Sequence, residues 1–280
     1  MKMSAQQFLE WQSKSITLLA MSGAGKTTLA NKLPKDKWFH YSGDYRIGTK
    51  YLDEPILDNI KKQAMEVPFL RQLLLSDSIY IRNNVTVNNL APVSTFLGKL
   101  GNPELGGLSL AEFKRRQKLH HHAEINAMKD VPEFIRKTES IYGYKNFLND
   151  AGGSVCELDS EEVLNTLGQH SLIIYIKIPP ALEQTIIERA KSDPKPLYYR
   201  ETFLDEQLDK FMLLKGYKNT DEIVPNEFVT WVFPYLFQSR LPRYEAIAKQ
   251  YGYTVEANDI ASVTGEEDFI QVIVDALAKQ

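Results

Sequence analysis

The chain has 280 residues, 43% hydrophobic and 25% charged, a composition near the folded-protein average that excludes a disordered, collagen-like or coiled-coil chain. Its 33 basic and 36 acidic side chains leave a formal charge of −3, so no whole-molecule field draws polyanions and any anion needs a local site. A lone cysteine, Cys156, excludes an internal disulfide, and with no signal-like N-terminus and no apolar run near the roughly 18 residues of a membrane span, a cytoplasmic, non-membrane chain is expected.

In chain order, SITLLA (15–20) reads as a buried strand, followed by a small-residue turn and a helix over 27–33. The turn, Ala20 through Thr28, fits the phosphate-loop pattern G-x-x-x-x-G-K-[ST] with Ala20 in place of the first glycine. Ser22, Gly23, Ala24, Gly25, Lys26, Thr27 and Thr28 are therefore expected to cradle a nucleoside triphosphate. Glycines let backbone N–H groups converge on a phosphate, Lys26 reaches the β- and γ-phosphates, and Thr27 holds Mg²⁺. ATP and Mg²⁺ are the expected cofactors. No guanine signature follows, nor a run of four apolar residues and two acids, which disfavours a GTPase or motor.

KWFHYS (37–42) reads as the second strand, leading into Asp44 and Arg46. The carboxyl end of a strand beside the first lies next to the γ-phosphate, so Asp44 is expected to orient or deprotonate an attacking hydroxyl and Arg46 to hold an anionic acceptor group. Residues 53–143 carry helical patterns (LDNIKKQAM, PFLRQLLL, LAEFKRRQKLHHHAEINAM, VPEFIRKTESIY) and read as an inserted, acceptor-binding region. Within it, Lys114, Arg115, Arg116 and Lys118 read mainly as a solvated face. His120, His121 and His122 point about 100° apart on a helix and do not converge on one metal ion.

KNFLND (145–150) reads as a third strand ending in Ala151-Gly152-Gly153, with Cys156 beyond as a small core residue. A helix over 160–168, the strand SLIIYIKI (171–178) and a helix over 181–191 follow. Arg189, Lys191, Lys195 and Arg200 bracket the loop SDPKP, as expected of a mobile cationic lid near 189–203. A helical, aromatic insertion over 204–238, with WVFPYLF as packing, precedes a helix over 240–250, a strand over 253–259 and a helix over 266–279. The expected fold is α/β: a P-loop NTPase fold with a parallel five-stranded sheet flanked by helices and a large helical insertion. Residues 1–52 and 144–280 would form the core.

The order FLNDAGGSVCELDSEEVLNTLGQHSLIIYIKIPPALEQTIIERAKSDPKPL, with SRLPRYEAIAKQYGYTVEAND further on, resembles shikimate kinases and neighbouring small-molecule kinases of the nucleoside-monophosphate-kinase class. The resemblance covers about 15–52, 145–203 and 238–279. It implies that Gly152 and Gly153 line the acceptor site, that Lys195 replaces the lid arginine, and that Arg240 is a second active-site arginine. Arg71 is the candidate for an acceptor-carboxylate contact. The expected activity is transfer of the ATP γ-phosphoryl group to a hydroxyl of a small metabolite. A regulatory or assembly ATPase, or a nucleic-acid 5′-hydroxyl kinase, is the alternative, the latter disfavoured by the charge balance.

Overall fold

The computed structural model describes residues 1–279. A short helix α1 (Ala5–Glu10), closed by a capping box between Ser4 and Gln7, leads into β1 (Ser15–Leu19), α2 (Lys26–Lys32) and β2 (Trp38–Ser42). Helix α3 (Gly43–Arg46) runs on into a π-helical turn over Ile47–Tyr51, and then come α4 (Asp53–Met65), α5 (Pro68–Leu75), α6 (Ala91–Leu97), α7 (Leu110–Lys129) and α8 (Val131–Ser140). β3 (Asn146–Asp150) is followed by a 3₁₀ turn at Val155–Glu157, α9 (Glu161–His170), β4 (Leu172–Lys177), α10 (Pro180–Ser192) and α11 (Glu201–Lys215). The chain ends in α12 (Pro225–Tyr251), β5 (Gly252–Glu256), α13 (Ala257–Ser262) and α14 (Glu266–Lys279).

The five strands form one parallel sheet in the order β2-β3-β1-β4-β5. Residue period two divides its core. Ile16, Leu18, Leu172, Ile174 and Ile176 face Leu29, Phe269 and Ile273, while Leu19, Phe147, Ile173 and Tyr175 face Ala123, Ala127, Met128, Leu167 and Phe237. This is the α/β P-loop fold, with helices on both faces of a parallel sheet. In register, Asp150 pairs with Leu18 on one side and Ser42 on the other. The carboxyl ends of β1, β3 and β2 therefore meet, bringing the phosphate loop, Asp150 and Asp44 to one edge.

The 53–143 segment is not detached from the sheet. Ala123, Ala127 and Met128 of α7 and Val131 of α8 belong to the same buried cluster as the strand residues Leu19 and Phe147. α6 has no counterpart in the sequence reading. It is short, and its buried Val93, Phe96 and Leu97 acquire their order from packing on α7 and α4.

The helix expected over 240–250 and the helical stretch ending at 238 are one element, α12, which continues through Pro234 and Pro242. Each proline removes a backbone donor, yet the buried stripe Val229, Val232, Phe233, Leu236, Phe237, Arg240, Tyr244 and Ile247 holds the helix in register. Its first half joins α11 in a satellite core of Phe203, Leu208, Phe211, Phe228 and Val232. The last expected strand ends at Glu256, and Ala257 opens α13 instead. Among the described residues no helix is long and apolar enough to cross a membrane.

Candidate functional site

The loop after β1 turns at Gly25, whose φ of +93° lies in the left-handed region that other residues avoid, and α2 starts at the next residue. Ser22, Gly23, Gly25, Lys26, Thr27 and Thr28 line a cavity of about 210 Å³ together with Asp44, Asp150, Ala151 and Gly153. Ala24 packs against both core clusters instead, its N–H donating to the Met21 carbonyl at 3.3 Å. The buried Lys26 ammonium donates to the carbonyls of Ala20 at 2.8 Å and Met21 at 3.3 Å. Burial lowers its pKa, opposed by the charges of Asp150, Asp44 and Glu124.

Thr27 Oγ1 donates to Asp150 Oδ2 at 2.7 Å, and His40 Nε2 faces the same oxygen at 3.5 Å. Burial works against the Asp150 charge, but His40, Lys26 and Thr27 together hold this carboxyl below the usual range. Asp44 behaves oppositely: burial and the neighbouring Asp150 push its pKa up, against the pull of Lys26. Two carboxyls at one cavity are thus driven apart, one kept ionised and the other made more basic. Asp150 was missed in the sequence because polar Asn149 interrupts the apolar run before it and one acid, rather than two, ends the strand. An acid at the carboxyl end of a strand was the available signal.

Gly152 is buried between two carboxyl groups. A Cβ there would meet Glu124 Oε1 head-on and Asp44 Oδ1 at 3.1 Å, so only glycine allows this approach. Glu124, wholly buried on α7, accepts a hydrogen bond from Ser154 Oγ at 2.6 Å, while its Oε1 has no partner. Burial, with the charges of Asp44 and Glu157 adding to it, raises its pKa to about 8. The folded protein therefore holds a proton that an unfolded glutamate releases near its ordinary pKa of about 4.3. Stability from this group is complete below that lower value and is lost as pH rises through about 8. Between about pH 5 and pH 9 the wild type is expected to lose roughly 2–5 kcal/mol more unfolding free energy than Glu124→Gln. Urea unfolding at both pH values measures this, and parallel losses in the two proteins would refute it.

Arg189 and Lys195 line a second cavity, of about 390 Å³, which shares Ser22 and Gly23 with the phosphate loop and has an apolar wall of Ile186, Leu197, Val229 and Phe233. Lys195 is exposed and reaches Asp193 at 3.3 Å. Arg200 turns elsewhere, toward Glu157 at 3.7 Å and Asp159 at 3.8 Å. Arg240 is buried, its Nη1 donating to Gly153 O at 3.0 Å and its Nη2 to Tyr198 O at 2.8 Å and Glu157 Oε2 at 3.3 Å. It braces Gly153 against the backbone of Tyr198. Tyr244 of the same helix donates to Gly153 O at 2.9 Å and Ala20 O at 3.1 Å, a second brace that the sequence did not single out.

Arg46 is not brought to the cavity. It holds Asp130 through Nε at 2.8 Å and Nη2 at 2.7 Å, with its guanidinium over the rings of Phe134 and Tyr51. Arg71 is exposed on α5. His120 is buried near Glu124, His121 donates Nε2–H to the Leu158 carbonyl at 3.0 Å, and His122 is exposed. Buried Cys156 has its thiol pushed up to about 12 by desolvation.

No family model matches this chain. No curated protein matches it. Among solved structures, the shikimate kinase from Bacteroides thetaiotaomicron is similar over 95% of this chain and 97% of that one, at 16% sequence identity and a TM-score of 0.36.

Proposed function

We propose that this protein is an ATP-dependent kinase that moves the γ-phosphoryl group to a hydroxyl of a small metabolite. The observation that carries the reading is that Lys26, the Thr27–Asp150 pair and Asp44 line one cavity at the carboxyl ends of three adjacent parallel strands. Thr27 and Asp150 present hard oxygen donors side by side; they would hold Mg²⁺, which when bound neutralises phosphate charge. Lys26 would lie against the β- and γ-phosphates. Arg189 and Lys195, over the cavity continuous with Ser22 and Gly23, would close as a lid and exclude water.

In the transfer, the acceptor oxygen bonds to the γ-phosphorus as the bond from that phosphorus to the β–γ bridging oxygen breaks, leaving its electron pair on ADP. The acceptor proton passes to Asp44, whose raised pKa suits it to receive one. Little covalent chemistry is asked of the protein, so positioning and charge stabilisation dominate. Gly153 lines the cavity without a side chain, Gly152 lets Glu124 and Asp44 approach behind it, and Arg240 keeps that backbone in place. Residues 1–52 and 144–280 supply the transfer core, and 53–143 supply the acceptor region through α7. A nucleic-acid acceptor is disfavoured because the basic run on α7 is matched internally: Lys114 and Lys118 by Glu201, Arg115 and Arg116 by Glu112.

With γ-labelled ATP and a panel of hydroxylated metabolites, label is expected in one phosphorylated acceptor. Asp44→Asn is expected to bind ATP normally and to lower transfer about 10²-fold. Release of inorganic phosphate with no labelled acceptor would overturn the kinase reading and favour a regulatory ATPase.

A further inference from the structure

Arg240 and Tyr244 lie about one helical turn apart on α12 and reach the same atom, the carbonyl oxygen of Gly153, at 3.0 Å and 2.9 Å. Tyr244 also reaches the carbonyl oxygen of Ala20, at 3.1 Å, where the phosphate loop begins, and the Lys26 ammonium holds that same oxygen at 2.8 Å. One phenol thus stands between the phosphate loop and the glycine turn after β3. The two segments touch there: a Cβ on Gly153 would meet the Ser22 backbone nitrogen at 3.1 Å.

The hydroxyl oxygen is fixed in place, and only its proton can move. The Tyr244 ring is wholly buried and lies flat on Tyr175 of β4, with centroids 5.2 Å apart and an interplanar angle of 5°. Burial drives its pKa well above the ordinary range, so the phenol keeps its proton. A phenol has one proton and serves one carbonyl at a time. With Lys26 on Ala20 O, that oxygen already has a charged donor, and the shorter distance places the phenol proton on Gly153 O. Both lone pairs of Gly153 O are then engaged, one by Arg240 and one by Tyr244. When a nucleotide draws Lys26 outward, Ala20 O loses its lysine and, being buried, draws the phenol proton to itself. Gly153 keeps Arg240 but is released on its second side, at the wall of the phosphate cavity.

We propose that Tyr244 is a positioning residue whose single proton links the two halves of the site. Nucleotide binding moves it from Gly153 O to Ala20 O, and the lone pair this frees takes a hydroxyl of the acceptor. Nucleotide therefore binds first, and each ligand raises the affinity of the other. The roles of nucleotide and acceptor rest on the kinase reading; the dependence of the proton on Lys26 follows from these hydrogen bonds alone.

Gly153-Ser154 is the only Gly-Ser step in the chain, so glycine labelled with ¹³C at the carbonyl, together with ¹⁵N-serine, reports the Gly153 carbonyl as a single NMR cross-peak. Loss of a hydrogen bond moves a carbonyl carbon upfield. In the full chain, Mg²⁺ with a non-hydrolysable ATP analogue is expected to move this peak upfield, and Lys26→Ala is expected to show it displaced the same way with no nucleotide. Tyr244→Phe keeps the ring and leaves Lys26 and Arg240 on the two carbonyls, so the fold should hold and the peak should not respond to the analogue. The analogue should bind this variant about 10-fold more weakly, because Ala20 O is left without the phenol once Lys26 turns away. With the analogue bound, an unmoved wild-type peak, an equal displacement in Tyr244→Phe, or unchanged affinity in that variant would overturn the inference and leave the kinase reading standing. If Lys26→Ala shows the displaced peak while the wild type binds no analogue, the proton link to Lys26 stands and the kinase reading fails.

Discussion

Lys26→Ala is expected to lower γ-phosphoryl transfer by about 10³-fold and to weaken ATP binding markedly. The ammonium is buried within the loop, on the carbonyls of Ala20 and Met21, and is the cation facing Asp44, Asp150 and Glu124. Without a nucleotide those carbonyls hold it in place; with one, it would turn outward to the phosphates. Alanine removes the cation that would meet the γ-phosphate and leaves Asp150, which His40 and Thr27 still help to hold ionised, on the same cavity wall. The fold should survive, since the Ala20 carbonyl keeps its bond from Tyr244 and the acids can take up protons. Equilibrium nucleotide binding and single-turnover transfer on folded variant measure both effects. Wild-type affinity and turnover in Lys26→Ala would remove the nucleotide assignment altogether.

Asp150→Asn is expected to reduce transfer by about 10³-fold and to raise the Mg²⁺ concentration needed for half-maximal activity by at least about 10-fold. Asparagine keeps the shape and can still accept the Thr27 hydrogen bond through its oxygen, so what is lost is the negative charge. That charge is well supported, because His40, Lys26 and Thr27 keep the carboxyl ionised against its burial. The pH dependence has a definite sign: a carboxyl held below its ordinary range contributes stability above that range and loses it as pH falls through the folded value. Asp150→Asn should therefore be less sensitive to acid than the wild type in thermal unfolding. A magnesium titration superimposable on that of the wild type would show that Asp150 has no part in holding the metal.

Much of the architecture was legible in the chain. β4 was visible because a strand buried on both faces is an apolar run stopped by Pro179 and Pro180, and the phosphate loop because a tight turn around phosphate demands small residues and a lysine at fixed spacing. Asp44 was legible as a residue just beyond the second strand, but the expectation that this strand lies beside β1 failed, since β3 stands between them. What failed was local reasoning about partners. Arg46 looked free for an anion but meets Asp130, 84 residues away in the chain. α12 runs through two prolines because packing on the sheet outweighs the missing backbone bonds.

By itself the sequence determined the alternation of strands and helices, the loop that can cradle phosphate and the absence of a dominating charge, since each depends on neighbours a few positions apart. Only the tertiary structure decided that β3 lies between β1 and β2, which puts Asp150 against Thr27. It also decided that α7 buries Glu124 beside Gly152, and that the cations beyond the phosphate loop are divided between two separate cavities. Strand order and helix docking are chosen by the burial of whole faces, and that choice sets which distant charges meet.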